Sequence, residues 1–274
     1  MTFDIAMPLT LFFVTLASLL LNQKTENKLK GTLEEKEFKT RDAVLLVVVM
    51  VAAISMIAFL REIVAPLMIL FMFSYSSLLF MFTYVFSNKR WYLAVIPPIA
   101  FILPYVFFRD TTLWALYIAN AYAVVFAILI TLYIGSLFTW KSTLIFTILL
   151  TIVDIILVLI TGTMIEAANA ARGLSLPIMI AVPVVPLITT TQGLQFMSLG
   201  LGDFFFAGLA TIQSSKKYGK KFALLSAVVM TISFFIFETL LFTYKLTAFP
   251  GTLMIICGWL PLVAFKILKK IPAS

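Results

Sequence analysis

Two aspartates sit where hydrocarbon is expected. Asp154 lies in the middle of the apolar run TLIFTILLTIVDIILVLITG. Asp203 closes the tetrad Gly200-Leu201-Gly202-Asp203 at the mouth of another apolar stretch, 49 residues downstream. A carboxylate in hydrocarbon costs several kcal/mol, so an intramembrane acid marks function by default. Two carboxylates that share a site cannot both ionise, and the pair then holds one proton. One member can activate water while the other donates a proton to a carbonyl.

Missing residue types narrow the chemistry further. The chain has no histidine and a single cysteine, Cys257. That removes zinc sites of the HExxH type, Ser-His and Cys-His nucleophile systems, metal clusters and disulfide frameworks. No metal and no cofactor is expected, and Cys257 reads as a small buried apolar residue. Carboxylates, lysines and hydroxyls remain for catalysis.

The acids need elements to hold them. Of 274 residues, 62% are hydrophobic and 12% charged, the composition of a polytopic membrane protein. Apolar runs bounded by charge predict nine spans, at residues 5–21, 43–60, 63–85, 91–108, 113–138, 143–162, 199–213, 222–244 and 251–268. The expected fold is an all-α bundle of nine transmembrane helices. Residues 5–21 read as the first span and not as a cleavable signal, since no basic stretch precedes them. No repeat, low-complexity segment or soluble domain is apparent. Residues 1–142 read as a scaffold of helices one to five, and residues 143–274 as the catalytic part.

Residues 176–187 (LPIMIAVPVVPL) are apolar, but they are only twelve residues with three prolines. Proline donates no backbone hydrogen bond, which disfavours a lipid-exposed helix. With nine spans, sixteen of the 20 Lys and Arg residues fall on one side. Counting 176–187 as a tenth span makes the split ten to ten. The positive-inside rule therefore predicts a cell-membrane protein with its N-terminus outside and its C-terminus cytoplasmic. Residues 176–187 become a short extended or re-entrant piece between helices six and seven. The same count sets depth. Lys141 precedes Asp154 by thirteen residues, and Asp203 precedes Lys216 by thirteen. At about 1.5 Å per residue, both acids lie roughly 20 Å from the basic side.

Gly200 and Gly202 lack side chains, so a helix or an extended peptide can approach them closely. Glu238, the third intramembrane acid, reads as a paired or snorkelling structural carboxylate near the outer boundary. Glu26/Lys30, Glu35/Lys39 and Glu37/Arg41 have the spacing of a solvated helix. Lys216–Lys221 (KKYGKK) reads as a stretch resting on anionic headgroups, with the lipid bilayer as its partner and no nucleic acid expected.

From about Thr143 onward the chain resembles the presenilin and signal peptide peptidase family of GxGD intramembrane aspartyl proteases. Phe196-Met197-Ser198-Leu199-Gly200-Leu201-Gly202-Asp203 is similar to that family's seventh-span signature. Leu174 to Pro183 (LSLPIMIAVP) is similar to its linker of the form Pro-x-x-x-x-x-Pro. Two motifs depart. The family's Tyr-Asp is Val153-Asp154 here, and its Pro-Ala-Leu-Pro is Thr247-Ala248-Phe249-Pro250. The first five spans match only in number and hydropathy. The resemblance implies a minimal microbial homologue in which Asp154 and Asp203 activate water for peptide hydrolysis. It also implies that Gly200, Leu201, Gly202, Ala248, Phe249 and Pro250 contact an unwound substrate. Substrates would be single-span membrane proteins or signal peptides. The main rival is an ion-coupled transporter using the same aspartates, whose inverted repeat should show as internal similarity. A prepilin peptidase would place its acids earlier and nearer the cytoplasmic face.

Overall fold

Lipid offers no hydrogen bonds to a backbone, so long apolar runs must satisfy their own. In the computed structural model they do so as helices. The structure describes residues 3–32, 37–59, 64–190, 193–244, 246 and 249–269. The first helices are α1 (Ala6–Thr32), α2 (Thr40–Phe59), α3 (Val64–Phe86), α4 (Trp91–Ala94) and α5 (Ile96–Phe108). A π-helical turn, Trp114–Ile118, leads into α6 (Ala119–Leu137). Then come α7 (Trp140–Ile155), a second π-helical turn (Ile156–Ile160) and α8 (Thr163–Gly173). Four short strands follow: β1 (Met179–Pro183), β2 (Thr189–Thr190), β3 (Gly193–Leu194) and β4 (Phe196–Gly200). The chain ends in α9 (Leu201–Tyr218), α10 (Lys220–Tyr244) and α11 (Gly251–Leu268).

Among the described residues, eight helical stretches are long and apolar enough to cross a membrane. They make this a multi-pass membrane protein built as a helix bundle. The expected seventh span is not among the eight, because the 18 residues of α9 include Asp203, Lys216 and Lys217 and are only modestly apolar; its location permits that composition. The 18-residue α9 carries twelve buried residues between Leu201 and Ser214. It packs on α1, α6, α7, α10 and α11 and so forms the bundle's centre. A helix wrapped by other helices faces little lipid, so it can carry Gly, Gln and Asp. Elsewhere the aromatic load divides as its chemistry suggests. Phe101, Phe126, Phe204 and Phe234 are buried, whereas Phe59, Phe73 and Phe107 face outward.

Residues 176–187 are not helical. Within them β1 runs antiparallel to β4, from Met179 opposite Gly200 to Pro183 opposite Phe196. The sheet absorbs the first two residues of the expected seventh span, since Leu199 and Gly200 belong to β4. The bundle therefore also contains two small sheets, β1 with β4 and β2 with β3.

Contacts sort the connections into two ends. At one end Lys216 Nζ meets Glu26 at 3.1 Å, and Phe38 bridges to Phe138. Gln213 donates to the carbonyls of Gly135 (3.1 Å) and Phe138 (2.7 Å), and Lys266 lies over the Phe222 ring. This end holds the lysine-rich connections. Lys216 belongs to KKYGKK, so that run is not wholly free for headgroups, and Glu26 reaches across the bundle to it. At the other end Trp114 Nε1 donates to the Ser175 carbonyl at 2.7 Å. There Asp4 accepts from the Ala6, Met7 and Val185 amides at 2.9, 3.1 and 2.8 Å. Cys257, expected in the interior, is exposed instead, because α11 turns that face away from its neighbours.

Candidate active site

The helix carrying Asp154 has a defined start. Thr139 caps α7 through a reciprocal box: its Oγ1 accepts from the Ser142 amide at 3.2 Å, and Ser142 Oγ accepts from the Thr139 amide at 2.9 Å. Such a cap fixes where a helix begins and so fixes the height of everything it carries. Asp154 sits in the last turn of α7, and the backbone winds as a π-helix from Ile156. π turns are frequent at functional sites because they redirect side chains. Asp154 is 8% exposed.

Asp203 lies in the first turn of α9, whose N-cap is Gly200 in extended conformation. The β4 ladder delivers that cap. The Leu201 amide donates to the Ile178 carbonyl at 3.1 Å, which holds the start of α9 against β1. The Asp203 carboxyl group faces Gly251 at the start of α11, one residue from the Thr252 that bonds Asp154. Asp154 and Asp203, 49 residues apart in sequence, are thus brought to one place.

Both are held by the start of α11. The Thr252 amide donates to Asp154 Oδ2 at 3.2 Å, and Thr252 Oγ1 lies 2.5 Å from the same oxygen. The preceding residue, Gly251, faces the other acid. A methyl at Gly251 would lie 2.5, 2.7 and 2.8 Å from Oδ1, Cγ and Oδ2 of Asp203. Real Cβ atoms do not approach so closely, so only glycine fits here with Asp203 in place. One dipeptide therefore touches both carboxyl groups. Pro250 precedes it as the N-cap and is buried.

The remaining site residues divide. At Gly200 an added methyl would sit 3.4 Å from Asp203 Oδ2. At Gly202 it would meet nothing within 4 Å among the described residues, so none of their helices packs closely there. Leu201 is buried in the core. Phe249 stacks on Phe237 at 5.6 Å and so braces α10. Ala248 lies outside the described residues. Gly251, Thr252 and Asn120 stand out little in the sequence. Their signals were a Gly-Thr pair directly after Pro250 and one amide side chain in an apolar helix.

Glu238 is fully buried, and among the described residues neither carboxyl oxygen has a hydrogen-bond partner. Among the described residues it has no partner, and, fully buried, it does not snorkel. Asp4, itself bonded to three amides, is close enough to act on it. A carboxyl without donors gains nothing from its charge. Glu238→Gln should thus retain most activity and keep or raise thermal stability in detergent. A loss comparable to that of the Asp154 or Asp203 variants would place Glu238 in the chemistry.

Among the described residues no three acidic or cysteine side chains converge to hold a metal ion. No protein-family model matches the chain, and no curated protein matches it.

Proposed function

We propose that the protein is an intramembrane aspartyl endopeptidase of the presenilin and signal peptide peptidase type. The observation that carries the reading is the shared site of Asp154 and Asp203, clasped by Gly251 and Thr252 within a helix bundle. In this reading α9 is a ninth crossing, and residues 176–187 dip toward the dyad as a protein-shielded segment.

The chemistry needs a water molecule, a peptide carbonyl and one shared proton. One carboxylate takes a proton from water as the oxygen attacks the carbonyl carbon. The partner carboxylic acid gives its proton to the carbonyl oxygen. Collapse of the resulting diol breaks the C–N bond: the departing nitrogen takes the proton held by the first carboxyl, a diol hydroxyl returns its proton to the partner, and the dyad again shares one proton. No charge has to leave the site.

A helical substrate must first unwind, because its carbonyls are otherwise occupied. The β1–β4 sheet offers the compensation. Asn120 Oδ1 accepts from the Ala181 amide and Asn120 Nδ2 donates to the Ala181 carbonyl, both at 2.8 Å. That occupies the outer edge of β1. Ala181 faces Ser198 across the sheet, so the backbone groups of Ser198 point to the opposite edge. Among the described residues they meet no partner there. An unwound substrate adding to β4 would run toward Gly200 and the dyad. Among the described residues nothing packs closely at Gly202, which gives it room.

One proton shared by two carboxyls titrates in two macroscopic steps. Cleavage should follow a bell-shaped pH profile and be inhibited by hydroxyl-bearing mimics of the diol. A rate rising monotonically with pH, with indifference to such mimics, would favour ion binding by the same acids.

Gathering the lysine-rich connections at one end supports the orientation read from charge, with that end cytoplasmic. The N-terminus is then outside, and substrates are single-span segments with cytoplasmic N-termini. A reporter fused to the C-terminus should be active only in the cytoplasm; activity only outside would contradict this.

A further inference from the structure

Most hydroxyls in these helices do one ordinary thing. Thr10, Thr131 and Thr151 donate to the carbonyl four residues back, at 2.8, 2.7 and 2.8 Å, which spares a polar group in an apolar setting. Thr252 cannot, because α11 begins one residue before it. Its hydroxyl instead reaches a carboxylate 98 positions away in the chain. Its amide, one of the orphan donors of a helix first turn, goes to the same oxygen. Thr252 is 4% exposed, so water competes little with either bond.

The anchor behind Thr252 is stiff. Two turns along α11, Trp259 Nε1 meets Ser214 Oγ at 3.0 Å, and the Trp259 ring packs on Trp140 at 5.8 Å. Ser233 on α10 donates to the Met254 carbonyl at 2.6 Å. At Gly258 an added methyl would sit 2.6 Å from the Val229 carbonyl oxygen, so α10 and α11 are locked backbone to backbone. A donor carried by such a helix holds its acceptor in one place.

We propose that Thr252 is the positioning residue of the dyad: its two donors pin Asp154 Oδ2, leaving Oδ1 as the oxygen presented to the attacking water. This rests on the protease reading above. It assigns a role to a residue that lies outside the GxGD tetrad and the Pro250 motif. It also distinguishes a hydroxyl that acts on the chemistry from one that merely fills space, because valine has the same shape without the donor.

The test is steady-state cleavage of a labelled single-span peptide by wild type, Thr252→Val and Thr252→Ser, with thermal melting of each in detergent. Thr252→Val should lower kcat about 10- to 100-fold, the effect of one hydrogen bond to a charged group. KM should stay unchanged. Because a donor to one member alters how the pair shares its proton, one limb of the pH profile should move. Thr252→Ser keeps the hydroxyl and should restore most of the rate. If Thr252→Val melts before assay, Thr252→Ala takes its place. Active wild type with an unchanged valine variant, or with a serine variant as impaired as valine, overturns the assignment alone. A wild type that cleaves nothing overturns the protease reading and this assignment with it.

Discussion

Asp154→Asn and Asp203→Asn should each abolish cleavage of a single-span substrate while the protein stays folded. Asparagine keeps the size of the side chain and keeps a carbonyl oxygen for Thr252 to bond, so α7 and α11 have no reason to part. What disappears is the ability to take or give a proton. General acid–base catalysis contributes about 10²- to 10⁴-fold, and loss of a residue acting as half of a unit removes most of it. The double variant should be no worse than either single one. The measurement is initial rate against melting temperature in the same detergent. Substantial turnover by either single variant would sink the dyad.

The second large effect falls on a residue with no chemistry of its own. Gly251→Ala places a methyl within 2.8 Å of three atoms of the Asp203 carboxyl group. Either that group rotates or the start of α11 withdraws, and withdrawal also strains the Thr252 bonds to Asp154. Misplacement of about 1 Å in a reacting group can cost about 10²-fold, so a loss of that order is expected. Gly202→Ala is the control, since among the described residues its methyl meets nothing within 4 Å. The alanine at 202 should leave the melting temperature unchanged, and any loss of rate there reads out substrate passing the site. Full activity in Gly251→Ala would show that Asp203 does not depend on α11 for its place.

Much of this arrangement is legible in one sequence because membranes make composition informative. Charge in an apolar run stands out, so Asp154 and Asp203 are visible without a structure. Their equal distance from Lys141 and Lys216 already suggests a common depth. The prolines of residues 176–187 forbid an ordinary helix, and β1 forms within them. Other features escape for equally physical reasons. Nothing local says that α9 is enclosed by other helices from Phe204 to Ser214, so its modest apolarity looks like a short span rather than a central one. Asp4, too near the chain start to read as intramembrane, is a buried cap that ties α1 to Val185. Glu26 is matched to Lys216, and pairings across a bundle leave no periodic trace. Gly251 and Thr252 are the most consequential omission. Threonine is commonplace in apolar helices, and only the position of α11 relative to α7 and α9 makes this one different.

The most direct test of the central claim is chemical. Purified protein in bilayer-like particles is incubated with an isotopically labelled single-span peptide, and the products are identified by mass spectrometry. New termini inside the apolar span are expected, with one oxygen from labelled water in the new carboxylate, and neither product with Asp154→Asn or Asp203→Asn. An intact peptide after prolonged incubation with folded wild type, or cuts confined to the polar flanks and persisting in both variants, would contradict it.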